Sequence, residues 1–370
     1  MNANFLTGPV ALRPEVRAAF CAPPVSHRQS DFLEMMRRTR ATLCSLANAK
    51  HAVLMVGSGT LANDAVAAQL RCSSGAGLIL SNGEFGERLI DHARRSRLQF
   101  AVEQQPWGEA FEWHAIRQVA ERCRPRWIWA VLTETSTGIA NPISELHALS
   151  EHVGADLCLD AVSAIGLMPV DLHRVRFATA VSGKGLAAFP GLAAVFHDGR
   201  LANSEQVPRY LDLASYEAAD GVPFTHSSNL VGALDCSLTL TCWPQKFESV
   251  RQKSQTLRAA LRHISLPPLA RDEDAAPGIV TLKIPDATGA TDVALALAKD
   301  RIEVAYQSRY LQERNWLQLA LMGEIDETAL RLLPGALAAH VERLSWRSRR
   351  FAHTFESFGP TDAEASRINV

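Results

Sequence analysis

Short apolar runs, each closed by Gly, Ser, Thr, Asn or Asp, recur along the first half of the chain with amphipathic stretches between them. His51-Ala52-Val53-Leu54-Met55-Val56 is such a run. It enters the turn Gly57-Ser58-Gly59-Thr60, after which helical spacing takes over across 61–70. Leu78-Ile79-Leu80 before Asn82-Gly83, 127–132 before Thr133-Glu134, 157–159 before Asp160 and 179–181 before Ser182 repeat the scheme, and helical patterns fill 31–48, 116–123 and 143–153. Continuous apolar runs predict strands buried on both sides, and their alternation with helices predicts an α/β fold built on a mostly parallel sheet.

The pattern changes near residue 249. A long polar-apolar helix at 249–264 is followed by strands at 279–284 and 316–322 and a helix at 328–344. This predicts an N-terminal arm and large domain over 1–245, a smaller C-terminal α/β domain over 246–345, and a loosely held tail over 346–370. The Pro-rich stretch 266–277 is expected to be a mobile loop.

Composition narrows the function classes. The 370 residues are 47% hydrophobic and 21% charged with a net charge of -1, which gives no basic excess for nucleic acid or an anionic membrane surface. No window is long and apolar enough to span a bilayer, and residues 1–9 lack a signal-peptide pattern, so a soluble, cytoplasmic protein is expected. The seven cysteines include no Cys-x-x-Cys pair and read as reduced thiols. His147 and His152 lie five residues apart, a spacing that does not stack on a helix face, so no metal site is expected.

In parallel sheets, ligands collect at the carboxyl ends of the strands, where Ser58, Glu134, Asp160 and Lys184 all fall. Lys184 lies in Ser182-Gly183-Lys184-Gly185, twenty-four residues after Asp160. An amine that holds an aldehyde as a Schiff base, plus a carboxylate that keeps a pyridine nitrogen protonated, is what pyridoxal phosphate requires. A strand entering a Gly/Ser turn that opens a helix adds a phosphate-binding geometry at Ser58, Gly59 and Thr60. Gly57-Ser58-Gly59-Thr60 lacks the lysine of a nucleotide P-loop, and Ser58 is not in a Gly-x-Ser-x-Gly elbow.

In order and spacing, Leu6-Thr7-Gly8-Pro9, Ser26-His27-Arg28, Gly57-Ser58-Gly59-Thr60, the run 82–88, Glu134-Thr135-Ser136-Thr137-Gly138, Asp160-Ala161-Val162-Ser163 and Ser182-Gly183-Lys184 resemble one family. It is the class V aminotransferases of the fold-type I pyridoxal phosphate enzymes, nearest to 2-aminoethylphosphonate:pyruvate and alanine:glyoxylate transaminases. The resemblance implies that Lys184 bonds the cofactor and later acts as base, that Asp160 holds the pyridine N–H, and that Val162 and Phe85 lie against the ring. It further implies that Ser136 approaches the phenolic oxygen, with Thr135 and Thr137 as alternatives in register, and that Ser182 assists the phosphate. Ser228, or else Thr225, would cross to the neighbouring subunit's phosphate, which makes the expected protein a homodimer with a shared active site. Its expected partners are a small amino donor and a 2-oxo acid.

One position departs from the family pattern. Where relatives carry an arginine that grips the substrate carboxylate, this chain has Gln318, in Trp316-Leu317-Gln318-Leu319. Arg309 or Arg28 would then supply the missing charge, and an arginine restored at 318 is expected to favour carboxylate-bearing substrates. The alternative is a lyase, a decarboxylase or a carbon–carbon bond-forming enzyme on the same cofactor site.

Overall fold

The computed structural model describes residues 3–202 and 205–356. Across its central sheet the strands run His51–Val56, Leu192–His197, Val175–Val181, Asp156–Asp160, Trp127–Val131, Gly77–Ser81 and Phe100–Gln104. They are parallel except Leu192–His197, which is antiparallel to both of its neighbours. Strands Gly77–Ser81, Trp127–Val131 and Leu192–His197 are buried along their whole length, which explains their mostly apolar character.

Successive side chains in a strand point to opposite faces, so one apolar run feeds two cores. Val53, Met55, Ile79 and Trp129 pack with Ala62, Val66 and Leu89 of the helices Gly59–Arg71 and Glu84–Arg95. Leu54, Leu80 and Ile128 pack on the other side with Phe32, Leu43, Ile116, Leu146 and Leu234, from helices Ser30–Ala47, Trp113–Cys123, Ile143–Val153 and Ser228–Leu240. The edge strand Phe100–Gln104 is half-exposed and carries Glu103, a charge that discourages pairing with another chain.

A separate core lies towards the C-terminus. Val250, Leu257 and Leu261 of the helix Trp243–His263 pack on Val280, Leu282, Leu317 and Leu319 of the antiparallel pair Ile279–Lys283 and Trp316–Ala320. Ala3 and Phe5 join this core, because the strand Ala3–Phe5 runs parallel to Ile302–Val304. The N-terminal arm thus returns to the C-terminal core, not to the large sheet.

Two expectations change. The stretch 266–277 is pinned: Leu269 N donates to Thr281 O and Ala140 N to Asp274 O, each at 2.8 Å, and Arg258 Nε donates to Asp272 Oδ1 at 2.8 Å. Its partners are distant in sequence, so the prolines alone read as mobility. The tail expected from 346 begins as a continuation of the helix Glu327–Glu356, and residues 357–370 lie outside the described residues.

Candidate active site

A cavity of about 630 Å³ opens at the carboxyl ends of the parallel strands, and Ser58, Gly59, Thr60, Phe85, Asp160, Val162 and Lys184 all line it. Lys184 stands just beyond the strand Val175–Val181. Its Nζ donates to Ser163 Oγ at 2.8 Å and lies 5.3 Å from the centroid of the Phe85 ring. Burial lowers its pKa; the negative charges of Asp160 and Glu134 oppose that, and Arg88 adds to it. An amine drawn towards its neutral form is a better nucleophile and base.

Asp160 ends the strand Asp156–Asp160 and is 5% exposed. Its Oδ2 accepts from Asn63 Nδ2 at 2.8 Å and its Oδ1 from Val162 N at 3.0 Å. Asn63 is held in turn, its Oδ1 accepting from Thr179 Oγ1 at 3.1 Å. The carboxylate is therefore fixed, with lone pairs to spare for a further donor.

The helix Gly59–Arg71 starts at Ser58, whose side chain makes no capping hydrogen bond. Its first N–H groups are left for an anion, where the helix dipole favours negative charge. Gly59 keeps the approach open there, because a Cβ would stand 3.1 Å from Val162 Cγ2, a tight contact. An uncapped helix start, a fixed carboxylate and a buried amine around one cavity fit the phosphate, ring nitrogen and aldehyde of pyridoxal phosphate.

Phe85 is placed by a buried carboxylate. Glu134 Oε2 accepts from Phe85 N at 3.1 Å and Gly86 N at 3.0 Å, and Oε1 accepts from Ser136 N at 3.1 Å and from the Ser136 hydroxyl. Glu134 thereby caps the helix Glu84–Arg95 from below. Gly83 makes room for it, since a Cβ there would lie 2.5 Å from Glu134 Cγ. Burial pushes the Glu134 carboxyl from 4.5 up to about 6, although its four donors pull the other way.

That shift has a stability consequence. The folded chain binds more protons than the unfolded chain between about pH 4.5 and 6, so the contribution present below 4.5 is lost as pH rises through 6. It amounts to about 2 kcal/mol. Glu134→Gln removes it, so a plot of thermal midpoint against pH should be flatter for the variant in that window. Equal slopes would place the titration elsewhere.

Several expected site residues lie elsewhere. Ser136 is fully buried and does not line the cavity; its hydroxyl accepts from Glu84 N at 3.1 Å and serves the helix cap. Thr135 is the neighbour that approaches the amine, its hydroxyl donating to the same Ser163 Oγ that takes Lys184. Thr137 is buried, with its hydroxyl on Glu134 O. Ser182 is buried behind the lysine loop, bonded to Phe189 O at 2.6 Å and Leu192 N at 3.2 Å, so it does not reach the cavity. Ser228 accepts from Val25 N at 2.9 Å within its own chain, whereas Thr225 is exposed.

The substrate-binding candidates are also relocated. Gln318 is fully buried and outside the cavity lining, with every polar atom engaged inside the protein. Arg309 is an exposed helical residue paired with Glu313 at 2.6 Å, and Arg28 is exposed outside the cavity. Residues without a role assigned from sequence stand at the site. Asn63 and Ser163 hold the two reactive groups, and Arg88 lines the cavity. Asn63 lies one turn into its helix from Gly59, a spacing that acquires meaning only once the helix start is known.

Comparison with known proteins agrees with this geometry. The family model described as aminotransferase class V matches residues 18–306. The chain is 30% identical over 319 residues to the soluble hydrogenase 42 kDa subunit of Anabaena cylindrica, covering 81% of this chain and 82% of that one. It is 32% identical over 256 residues to a 2-aminoethylphosphonate–pyruvate transaminase of Pseudomonas putida, covering 65% and 69%. The solved alanine–glyoxylate aminotransferase of a Nostoc species superposes with a TM-score of 0.83 at 27% identity, covering 92% of this chain and 96% of that chain. With its Lys184 and Asp160 cavity on a fold-type I α/β scaffold, the chain belongs to the class V aminotransferase family of pyridoxal phosphate-dependent transferases.

Proposed function

We propose that Lys184 and its cavity carry an amino group from a small amine or amino acid to a 2-oxo acid. The observation that carries this reading is the Lys184 amine, drawn towards its neutral form and held 2.8 Å from Ser163 in the cavity that also presents Asp160 and the uncapped helix start. Bound there, pyridoxal phosphate supplies an aldehyde for amine exchange and a conjugated ring that accepts the electron pair of a bond broken at the substrate α carbon. Ser58, Gly59 and Thr60 hold the phosphate, Val162 and Phe85 enclose the ring, and Asp160, fixed by Asn63, keeps a proton on the ring nitrogen. With the cofactor bound, the Lys184 amine would serve as the base that takes a proton from the substrate α carbon and gives it back. Ser163, itself bonded to Thr135, holds that amine inside the cavity.

The same reading makes the protein a cytoplasmic homodimer. Thr225, exposed on the segment 221–229, would supply the hydroxyl that reaches the neighbouring subunit, because Ser228 is already used within its own chain. All seven cysteines are free, and no helix among the described residues is long and apolar enough to cross a membrane. The C-terminal core, over about residues 246–345, is proposed to form a second domain.

A single-turnover experiment tests the transfer. An amino donor should bleach the visible absorbance of the lysine-bound cofactor, and a 2-oxo acid such as pyruvate should restore it. Donor consumption without that reversible cycle would reject amino transfer.

A further inference from the structure

The cavity wall holds one cation with no task in the scheme above. Arg88 lies one turn into the helix Glu84–Arg95, on the face that also presents Phe85 and His92 to the cavity. Its Nε donates to Glu84 Oε1 at 2.9 Å, and its guanidinium carbon stands 4.9 Å from the centroid of the Phe85 ring. These contacts orient the fork while using one of its five N–H donors. Among the described residues, Nη1 and Nη2 have no protein acceptor. His92 is differently committed, its Nδ1 paired with Asp64 at 2.6 Å.

Arg88 is also placed to sense the reacting groups. Burial lowers the pKa of Lys184 and raises that of Tyr310; the charge of Arg88 adds to the first shift and opposes the second. Tyr310 is the residue whose hydroxyl closes off Gln318. The guanidinium therefore lies within electrostatic reach of the amine that reacts.

An amino acid or 2-oxo acid brings a carboxylate into this pocket, and an anion enclosed without a counter-charge is costly. Arg88 is half-exposed where it lines the cavity, and a planar fork held there by stacking and by one ion pair is suited to bind an entering carboxylate in a bidentate manner. We propose that Arg88 reads the substrate carboxylate, moving that task from the C-terminal strand to the helix that carries Phe85. The proposal rests on the amino-transfer reading and names its substrates as carboxylates. The same fork also suits the cofactor's phosphate, so the test must separate the two anions.

Three measurements on the parent, Arg88→Gln and Arg88→Lys do so: the ratio of kcat/KM for pyruvate to that for acetaldehyde, the Kd of acetate for the holoenzyme, and the Kd of pyridoxal phosphate for the apoprotein. In Arg88→Gln the ratio should fall about 100-fold and acetate should bind about 10-fold more weakly, with partial recovery in Arg88→Lys. An unchanged ratio with weaker cofactor binding would assign Arg88 to the phosphate, and an unchanged ratio with unchanged cofactor binding would make it a surface arginine; either overturns the proposal. If the parent transfers no amino group, the proposed function fails. The acetate Kd then decides Arg88 alone: weaker binding in Arg88→Gln supports it and equal binding overturns it.

Discussion

Lys184→Ala is expected to abolish amino transfer, with a loss of at least about 10⁴-fold, because one side chain supplies both the covalent attachment and the base. The visible absorbance of the bound cofactor should vanish with it. Stability should not follow. Lys184 Nζ makes one hydrogen bond, to Ser163, and burial already works against its charge. Its removal leaves the Ser163–Thr135 contact in place, so the thermal midpoint should stay within a few degrees of the parent or rise. Cofactor affinity, measured by dialysis, should weaken without disappearing, since Asp160 and the start of the helix Gly59–Arg71 remain. Turnover at parental rates in this variant would remove Lys184 from the chemistry.

The parts legible in sequence were those whose signal is local. The strand His51–Val56 appears with the bounds that its apolar run gives, and Asp160 and Lys184 sit at strand ends because apolar runs stop where the sheet meets solvent. The helix Ala290–Lys299 and the edge strand Phe100–Gln104 were not legible: the first is largely small residues, and the second is half-exposed with polar positions inside the run. Side-chain contacts were not legible where hydroxyls stand next to one another. Thr135, Ser136 and Thr137 are chemically alike, and only the turn geometry sends Ser136 to Glu134 and Thr135 to Ser163. Ser182 and Ser228 show a related effect: short hydroxyl side chains bond to nearby backbone when backbone is offered.

Gln318 is where family resemblance and physical structure part most sharply, and it yields the second large prediction. Its Nε2 donates to Thr281 Oγ1 at 3.0 Å, to Ser136 O at 3.1 Å and to Thr135 O, while its Oε1 accepts from Tyr310 Oη at 3.0 Å. A neutral amide satisfied on both ends ties the strand Trp316–Ala320 to the turn that carries Glu134 and Thr135. A longer, charged side chain replaces those contacts with a buried guanidinium and strands the Tyr310 hydroxyl without its acceptor. Glu134, the carboxylate of this turn, already has its oxygens held by four donors of the helix cap, so turning it towards a guanidinium at 318 would break that cap. Gln318→Arg should therefore cost about 3–5 kcal/mol, the penalty of a buried unpaired charge. The thermal midpoint should fall by on the order of 10 °C. Turnover of carboxylate substrates should drop with it, contrary to what the family pattern alone implies. A stable variant that turns over 2-oxo acids faster than the parent would mean that the side chain at 318 reaches the cavity after all, and that Gln318 is a weakened substrate ligand and not a brace.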